Sequence, residues 1–351
     1  MIRHSCPTIG PEEIAAVKKV LQSKHIAQGE KVLEFEDKFK HYIGTKYAMA
    51  SNSGTSALHL ALLALGIRKT DEIILPSYVC TAVLNAVNFT GAGFRLADID
   101  ILDYNIGFQA VKKALTRRTK AIIVPHMFGQ AAKIDDFIKL GIPVIEDCAL
   151  SVGGEYKNRK LGSFGTVSIF SFYATKIMTT AEGGMALTND KRIADRISDL
   201  RDYDEKDNYI TRFNYKMTDL SAAIGIEQLR KLEAFIERRR KIAGIYNRSF
   251  SKRGIYIPQA RPGARHIYSR YVMRLKSNKQ EKFLWRLKRV GIECKKPIFK
   301  PLHRYLGFKD ADFPNTALAY NTAVSIPLYP SLQDREVREI INVVKEKIDR
   351  L

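Results

Sequence analysis

Between residues 72 and 173 the chain carries five short β-rich runs, several apolar at almost every position, each bounded by turn residues. They read EIILP (72–76), GFRLAD (93–98), KAIIVPH (120–126), IPVIED (142–147) and VSIFSFY (167–173). A strand with one wet face alternates apolar and polar residues, whereas an unbroken apolar run is a strand covered on both faces. Helical stretches separate these runs at Thr81–Phe89, Phe108–Leu115 and Ile134–Leu140. Strand and helix in turn over this length leave few solutions. The expected fold is α/β, a large domain with a mostly parallel sheet flanked by helices.

Further helices are expected around this sheet. Pro11–Leu21 starts with Pro and two acids, and Val32–Phe39 continues in the same manner. Ser51–Gly66 reads as a polar turn followed by an almost wholly apolar, hence buried, helix that Gly66 stops. Leu220–Arg240 is a long helix that the pattern ends in a basic run. Beyond it the texture changes. His266–Leu275 and Ser325–Tyr329 look like strands, and Glu281–Val290 and Asp334–Ile348 like amphipathic helices. This places a boundary near residue 235, with residues 1–235 as the large domain and 236–351 as a smaller α+β C-terminal domain.

Charge divides the chain at the same place. The net charge is +21, and residues 236–351 carry 27 Lys/Arg against 10 Asp/Glu, while the first 235 residues carry 31 against 27. Such asymmetry points to an anionic partner for the second part, or to a solvated basic face. No run nears the roughly 20 apolar residues of a membrane span. The first residues, MIRHSCPTIGPEE, lack the apolar centre of a signal peptide. Four scattered cysteines (Cys6, Cys80, Cys148, Cys294) show no CxxC spacing, so no zinc ribbon or disulfide framework is expected. A reduced, cytoplasmic protein follows as the expectation.

Three clusters carry chemistry. In SNSGTSALHLAL, Ser53, Gly54, Thr55 and Ser56 precede an apolar helix, which suits either a phosphate or an ordinary helix cap. It is not a Walker loop, since Gly-Lys-Ser/Thr is missing. Asp147 closes IPVIED, and the carboxyl ends of parallel strands line ligand crevices. A carboxylate there either holds a cation or simply ends the strand at the surface. In VSIFSFYATK, then EGG, Lys176 follows a buried strand. Desolvation would make its amine a nucleophile toward carbonyls; the alternative is a solvated strand-end lysine. A phosphate anchor, a cation-holding Asp and a carbonyl-binding Lys are together the needs of pyridoxal phosphate.

Ordered segments extend this pattern along the chain. They are IAQGEKVLEFEDKF (26–39), SNSGTSALHLALLALG (51–66), DEIILPSYVCTAVLNAV (71–87), LADIDILDYNI (96–106), PHMFGQ (125–130), IEDCALSVGGEYKNRKLGSFG (145–165), FSFYATK (170–176), EGG (182–184), NYKMTDLSAAIGIEQLRKL (214–232) and SIPLYPSL (325–332). With them the chain resembles, over nearly its whole length, the DegT/DnrJ/StrS-type pyridoxal-phosphate sugar aminotransferases, a branch of the aspartate-aminotransferase fold (fold type I).

The resemblance implies roles by position. Lys176 is the lysine that holds pyridoxal 5'-phosphate covalently and then moves protons, and Asp147 is the partner of its ring nitrogen. Gly54 and Thr55 bind the phosphate, with Ser56 adjacent, and Ser171 also reaches it. Asn214 crosses a dimer interface to the neighbour's phosphate, so a homodimer with shared active sites is implied. Three positions depart from the family pattern. Leu150 stands where Gln or His is usual, Cys80 where an aromatic residue packs on the cofactor, and Lys216 where Arg is usual. The retained Lys176 disfavours the dehydratases of the family, which carry His there. The implied activity moves an amino group from an amino acid, L-glutamate, to a keto-sugar linked to a nucleotide, in amino-sugar biosynthesis. A non-nucleotide keto substrate such as a cyclitol is the close alternative. A regulator or nucleic-acid binder is the distant one, against which no helix-turn-helix, zinc-finger or RNP signature is present.

Overall fold

The computed structural model describes residues 1–276 and 278–350. Strands β1 (Tyr47–Ser51), β2 (Glu72–Pro76), β3 (Gly93–Ala97), β4 (Thr119–Pro125), β5 (Val144–Asp147), β6 (Glu155–Tyr156), β7 (Arg159–Lys160), β8 (Val167–Ser171) and β9 (Gly184–Thr188) follow in chain order. Seven of them, all but β6 and β7, form one sheet in the order β1-β9-β8-β5-β4-β2-β3. From β8 to β3 the neighbours run parallel, and β9 lies antiparallel to both β8 and β1. The sheet is mostly parallel, as the alternating runs require.

Both faces are covered, and the strands show it residue by residue. Ile73 and Leu75 of β2 and Ile123 of β4 pack with Leu58, Leu62 and Val87 from the helices Gly54–Ala64 and Thr81–Phe89. Ile74, Ile122 and Val124 point the other way, toward Phe35, Phe39 and Leu232 from the helices Glu30–Ile43 and Asp219–Phe250. Successive side chains thus enter opposite apolar layers, which is why these runs contain no polar alternate. Phe39 meets Phe170 and Phe172 edge-on at 5.0 and 5.3 Å, a geometry that aromatic quadrupoles favour.

The structure departs from the sequence expectation in places with clear causes. Strands β1 (YAMAS) and β9 (GMALT) are not foreseen, because small residues give them little β-signal; β8 supplies the pairing of β9, and β9 that of β1. The long helix does not end at the basic run; it continues to Phe250. Arg238 donates to the Leu332 carbonyl oxygen, Arg239 to that of Leu328 and Arg240 to that of His266. With those guanidinium groups tied to neighbours, Ile242, Ala243, Tyr246 and Phe250 extend the buried stripe. Residue 235 therefore falls inside this helix.

Around the helix's second half lies a third apolar cluster, built on Tyr246, Phe250, Ile340 and Val344. It contains the antiparallel pair β11 (Tyr271–Arg274) and β12 (Ala323–Ile326), shorter than the expected runs, while Ala264–Arg265 forms β10 against β6. Ile2, from the start of the chain, packs into the same cluster. Among the described residues, no helix is long and apolar enough to cross a membrane.

Candidate active site

The carboxyl edge of the sheet gathers the chemistry. Pro125 of β4 pairs with Asp147 of β5, Asp147 with Ile169 of β8, and Gly184 of β9 with both Ser171 and Ser51. These ends therefore lie side by side, the place where open parallel sheets hold ligands.

The helix Gly54–Ala64 begins at this edge. Ser53 is its cap, its hydroxyl accepting the Ser56 N–H at 3.1 Å, and the Ser56 hydroxyl in turn donates to Asn52 at 2.6 Å. Ser53 and Ser56 are thus engaged in capping. The amides of Gly54 and Thr55 open the first turn, where no intrahelical acceptor exists for them. Here the backbone is packed against its neighbours to the limit. A Cβ on Gly54 would stand 2.8 Å from the Cβ of Ser171, and one on Gly184 would stand 2.2 Å from the carbonyl oxygen of Ser53. The glycines of GT and EGG are what let the turn, β8 and β9 meet.

Cys80, Asp147 and Lys176 line one cavity of about 360 Å³, together with Met127, Leu150, Arg270, Phe299 and Lys300. A larger groove of about 820 Å³, lined by Arg95, Asp98 and Asn315 among others, contains none of the residues singled out above. Asp147 is 7% exposed, which removes the surface reading of this strand end. Burial pushes its carboxyl up, against the opposing pull of the Ala149 N–H at 3.0 Å, Lys176 and His126. Burial pulls the Lys176 amine down from its ordinary value, while Cys80 and Asp147 draw it back up and Arg270 lowers it further. A lysine and a carboxylate that each resist ionisation share one enclosed space, the pattern of groups set aside for chemistry.

Glu146 and His126 form a layer behind them that the sequence reading did not assign. The Ala132 N–H donates to His126 Nδ1 at 3.0 Å, so Nε2–H donates to Glu146 at 2.9 Å. Glu146 also accepts the N–H groups of Gly162, Phe164 and Gly165 at 2.7 to 2.9 Å. Burial raises this carboxyl, but His126 and the amides outweigh it and hold it low. The His126 N–H donates to the Asp147 carbonyl oxygen at 3.1 Å, so the pair fixes the strand end that carries Asp147. His126, Glu146 and Cys148 are also close enough to share an ion, yet both nitrogens of His126 and both oxygens of Glu146 are already bonded. Glu146→Gln should lower the unfolding midpoint in urea by the equivalent of about 2 kcal/mol, the cost of leaving buried N–H donors without their charged acceptor. A midpoint equal to that of the unsubstituted chain would show that the network is not needed. His126 was open to discovery, since it follows directly on β4 at the edge where Asp147 ends β5; Arg270 was not, lying inside an expected strand.

Asn214 and Lys216 sit outside the cavity. The Asn214 backbone accepts a bond from Asn52 Nδ2 at 3.2 Å, and the residue is exposed. Lys216 meets Asp202 at 2.6 Å and Asp204 at 2.5 Å, so its single ammonium spans two carboxylates. Leu150 packs on the apolar cluster of Tyr78 and Met127 at one cavity wall.

A family model described as DegT/DnrJ/EryC1/StrS aminotransferase family matches residues 7–345. The chain belongs to this aminotransferase family. It is an enzyme, an aminotransferase, with the fold that the resemblance implied. The spore coat polysaccharide biosynthesis protein SpsC of Bacillus subtilis is 36% identical over 98% of this chain and 96% of its own length. A GDP-perosamine synthase of Caulobacter vibrioides is 34% identical, covering 89% of each protein. Among solved structures, the putative sugar aminotransferase Spr1654 of Streptococcus pneumoniae in its PLP form superposes with a TM-score of 0.94 at 26% identity, over 99% of both chains. These relatives place the chain among sugar aminotransferases and support a part in amino-sugar biosynthesis.

Proposed function

We propose that this aminotransferase holds pyridoxal 5'-phosphate covalently on Lys176 and moves an amino group from L-glutamate to a keto-sugar carried on a nucleotide. The observation that carries the reading is the meeting of Lys176 and Asp147 in one cavity at the sheet's carboxyl edge. The residues present fit the cofactor. Gly54 lies so close to Ser171 that a Cβ there would clash, and the first amides of an 11-residue helix open beside it, a site for phosphate. Asp147, kept from water, gains most when a cationic ring nitrogen is set against it.

When bound, the cofactor supplies an electron sink for the carbon that loses its proton. The Lys176 amine takes that proton and returns one, work that needs its free-base form at neutral pH. Burial lowers its pKa and so moves the amine toward that form. Ser171, Gly54 and Thr55 are the phosphate anchors of this reading, and Leu150 supplies an apolar wall in place of a hydrogen-bonding one. Cys80 gives the cavity a small thiol rather than a ring, which leaves room on that side. A cytoplasmic setting belongs to the same reading and is supported by four free cysteines. A panel of nucleotide-linked keto-sugars, each incubated with glutamate and read by mass, tests the substrate. Amination of free cyclitol ketones alone would replace the nucleotide-linked reading with its close alternative.

The same proposal includes a homodimer with shared sites. Support comes from an apolar groove of about 520 Å³ lined by Ile9, Ile14, Leu21, Ala174, Ala181 and Ile224, on the loop that carries Lys176. Asn214, the residue given this role, is exposed, and Tyr209, five residues before it, is 95% exposed. Lys176→Ala and Asn214→Ala chains, each impaired alone, should regain activity when mixed and allowed to exchange. One of the two sites in the mixed dimer then holds both residues intact. No recovery despite measured exchange would mean that each site is built within one chain.

A further inference from the structure

We propose that Arg270 binds a carboxylate of the amino donor beside Lys176, an assignment that rests on the aminotransferase reading above. The argument begins with charge balance. Of the other little-exposed arginines, Arg201 meets Glu36 at 2.5 Å, Arg212 meets Asp199 at 3.0 Å and Arg261 meets Asp103. Arg239 donates to the Leu328 carbonyl oxygen and Arg274 stacks on the Tyr256 ring, with no acid on either among the described residues. Arg270 likewise has none. Its one hydrogen bond among the described residues runs from Nη1 to the Pro297 carbonyl oxygen at 2.5 Å. It lines the cavity of Lys176 and Asp147, and also a second one of about 140 Å³ that His4, Ser5, Thr175 and Lys295 border. The acid of that second cavity, Glu293, is already held by Lys295 at 3.0 Å and by the His4 N–H at 2.9 Å.

Burial pulls the Arg270 guanidinium down from its ordinary range, and Tyr78 and Cys80 offset only part of that loss. The free edge has a shape. With Nη1 anchored on Pro297, Nε and Nη2 remain as two parallel donors, the fork that accepts both oxygens of a carboxylate. Phosphate is the rival anion, and position decides against it. In an amino acid the carboxylate is one bond from the carbon that Lys176 must deprotonate. In a nucleotide-linked sugar the phosphate is several ring bonds from the reacting carbon. Arg270 is close enough to depress the Lys176 amine by its charge, so it lies within reach of the nearer group.

The probe is glutarate, a dicarboxylate with no amine to react, titrated calorimetrically into the holoenzyme. The unsubstituted enzyme should bind it. Arg270→Gln should bind about 30- to 100-fold more weakly, the loss of two charge-assisted bonds, with Arg270→Lys between the two. Thermal unfolding of each variant confirms that it is folded. In half-reactions followed by the cofactor's spectrum, the glutamate step should lose affinity by the same factor, while the keto-sugar step changes less than about threefold. Equal glutarate binding by Arg270→Gln, or none by the unsubstituted enzyme, overturns the assignment. A loss confined to the keto-sugar step also overturns it, by moving the arginine to a sugar carboxylate or phosphate. If no nucleotide-linked keto-sugar is aminated, the substrate reading fails, but glutarate binding still decides the role of Arg270.

Discussion

Lys176→Ala is expected to lower transamination at least about 10³-fold, since it removes the group that carries the proton. The same preparation should lose the cofactor mass that borohydride reduction fixes to the peptide 170–184 of the unsubstituted enzyme. Retained turnover, or a mass fixed elsewhere, would sink the assignment of Lys176. A second readout needs no chemistry. The folded state pulls this amine below its ordinary value near 10.5, so the unfolded chain binds the proton more tightly. Stability of the cofactor-free enzyme should then rise with pH across the window between the lowered value and 10.5. Lys176→Met should flatten that rise and melt higher at neutral pH. A variant that is inactive yet more stable has lost a functional group and not a structural one.

How much of this was legible in the sequence depends on the kind of signal. The central strands announced themselves because burial on two faces forbids polar residues, as in EIILP, where Ile73 and Ile74 enter opposite layers. Strands β1 and β9 did not, because GMALT takes its strand form from pairing with β8 and YAMAS from pairing with β9. Lys176, Asp147 and Gly54 were legible as motifs, since each ends a strand or starts a helix at the sheet's carboxyl edge. The basic run 238–240 misled. Arginines read as a solvated helix end, but here their guanidinium groups reach carbonyl oxygens of segments more than 25 residues away, and only the folded chain brings those together. Arg270 is invisible for the same reason. Its meaning lies in lining the cavity with no acid beside it among the described residues, which a sequence does not record.

Asp147→Asn separates the electrostatic role of this carboxyl from its place in the fold. The change keeps the oxygen that accepts the Ala149 N–H at 3.0 Å and keeps the volume, so the strand end should stand. It removes the negative charge that a cationic ring nitrogen would face. Loss of one such preorganised group should lower kcat about 10²- to 10³-fold, with weaker hold on the cofactor. Stability should move the other way. Burial raises this carboxyl in the folded state, so the folded chain binds the proton more tightly than the unfolded one. The stability that Asp147 provides is therefore present below the ordinary carboxylate value of 3.8 and is lost as pH rises through the raised one. Above that window Asn carries no such loss, and the cofactor-free variant should melt higher than the unsubstituted chain. At pH 3 the two should converge, because Asp147 is then neutral in both states. A variant that is slow and also less stable at pH 7 would assign Asp147 to holding the strand end. One that is stable and fully active would take the ring nitrogen away from it.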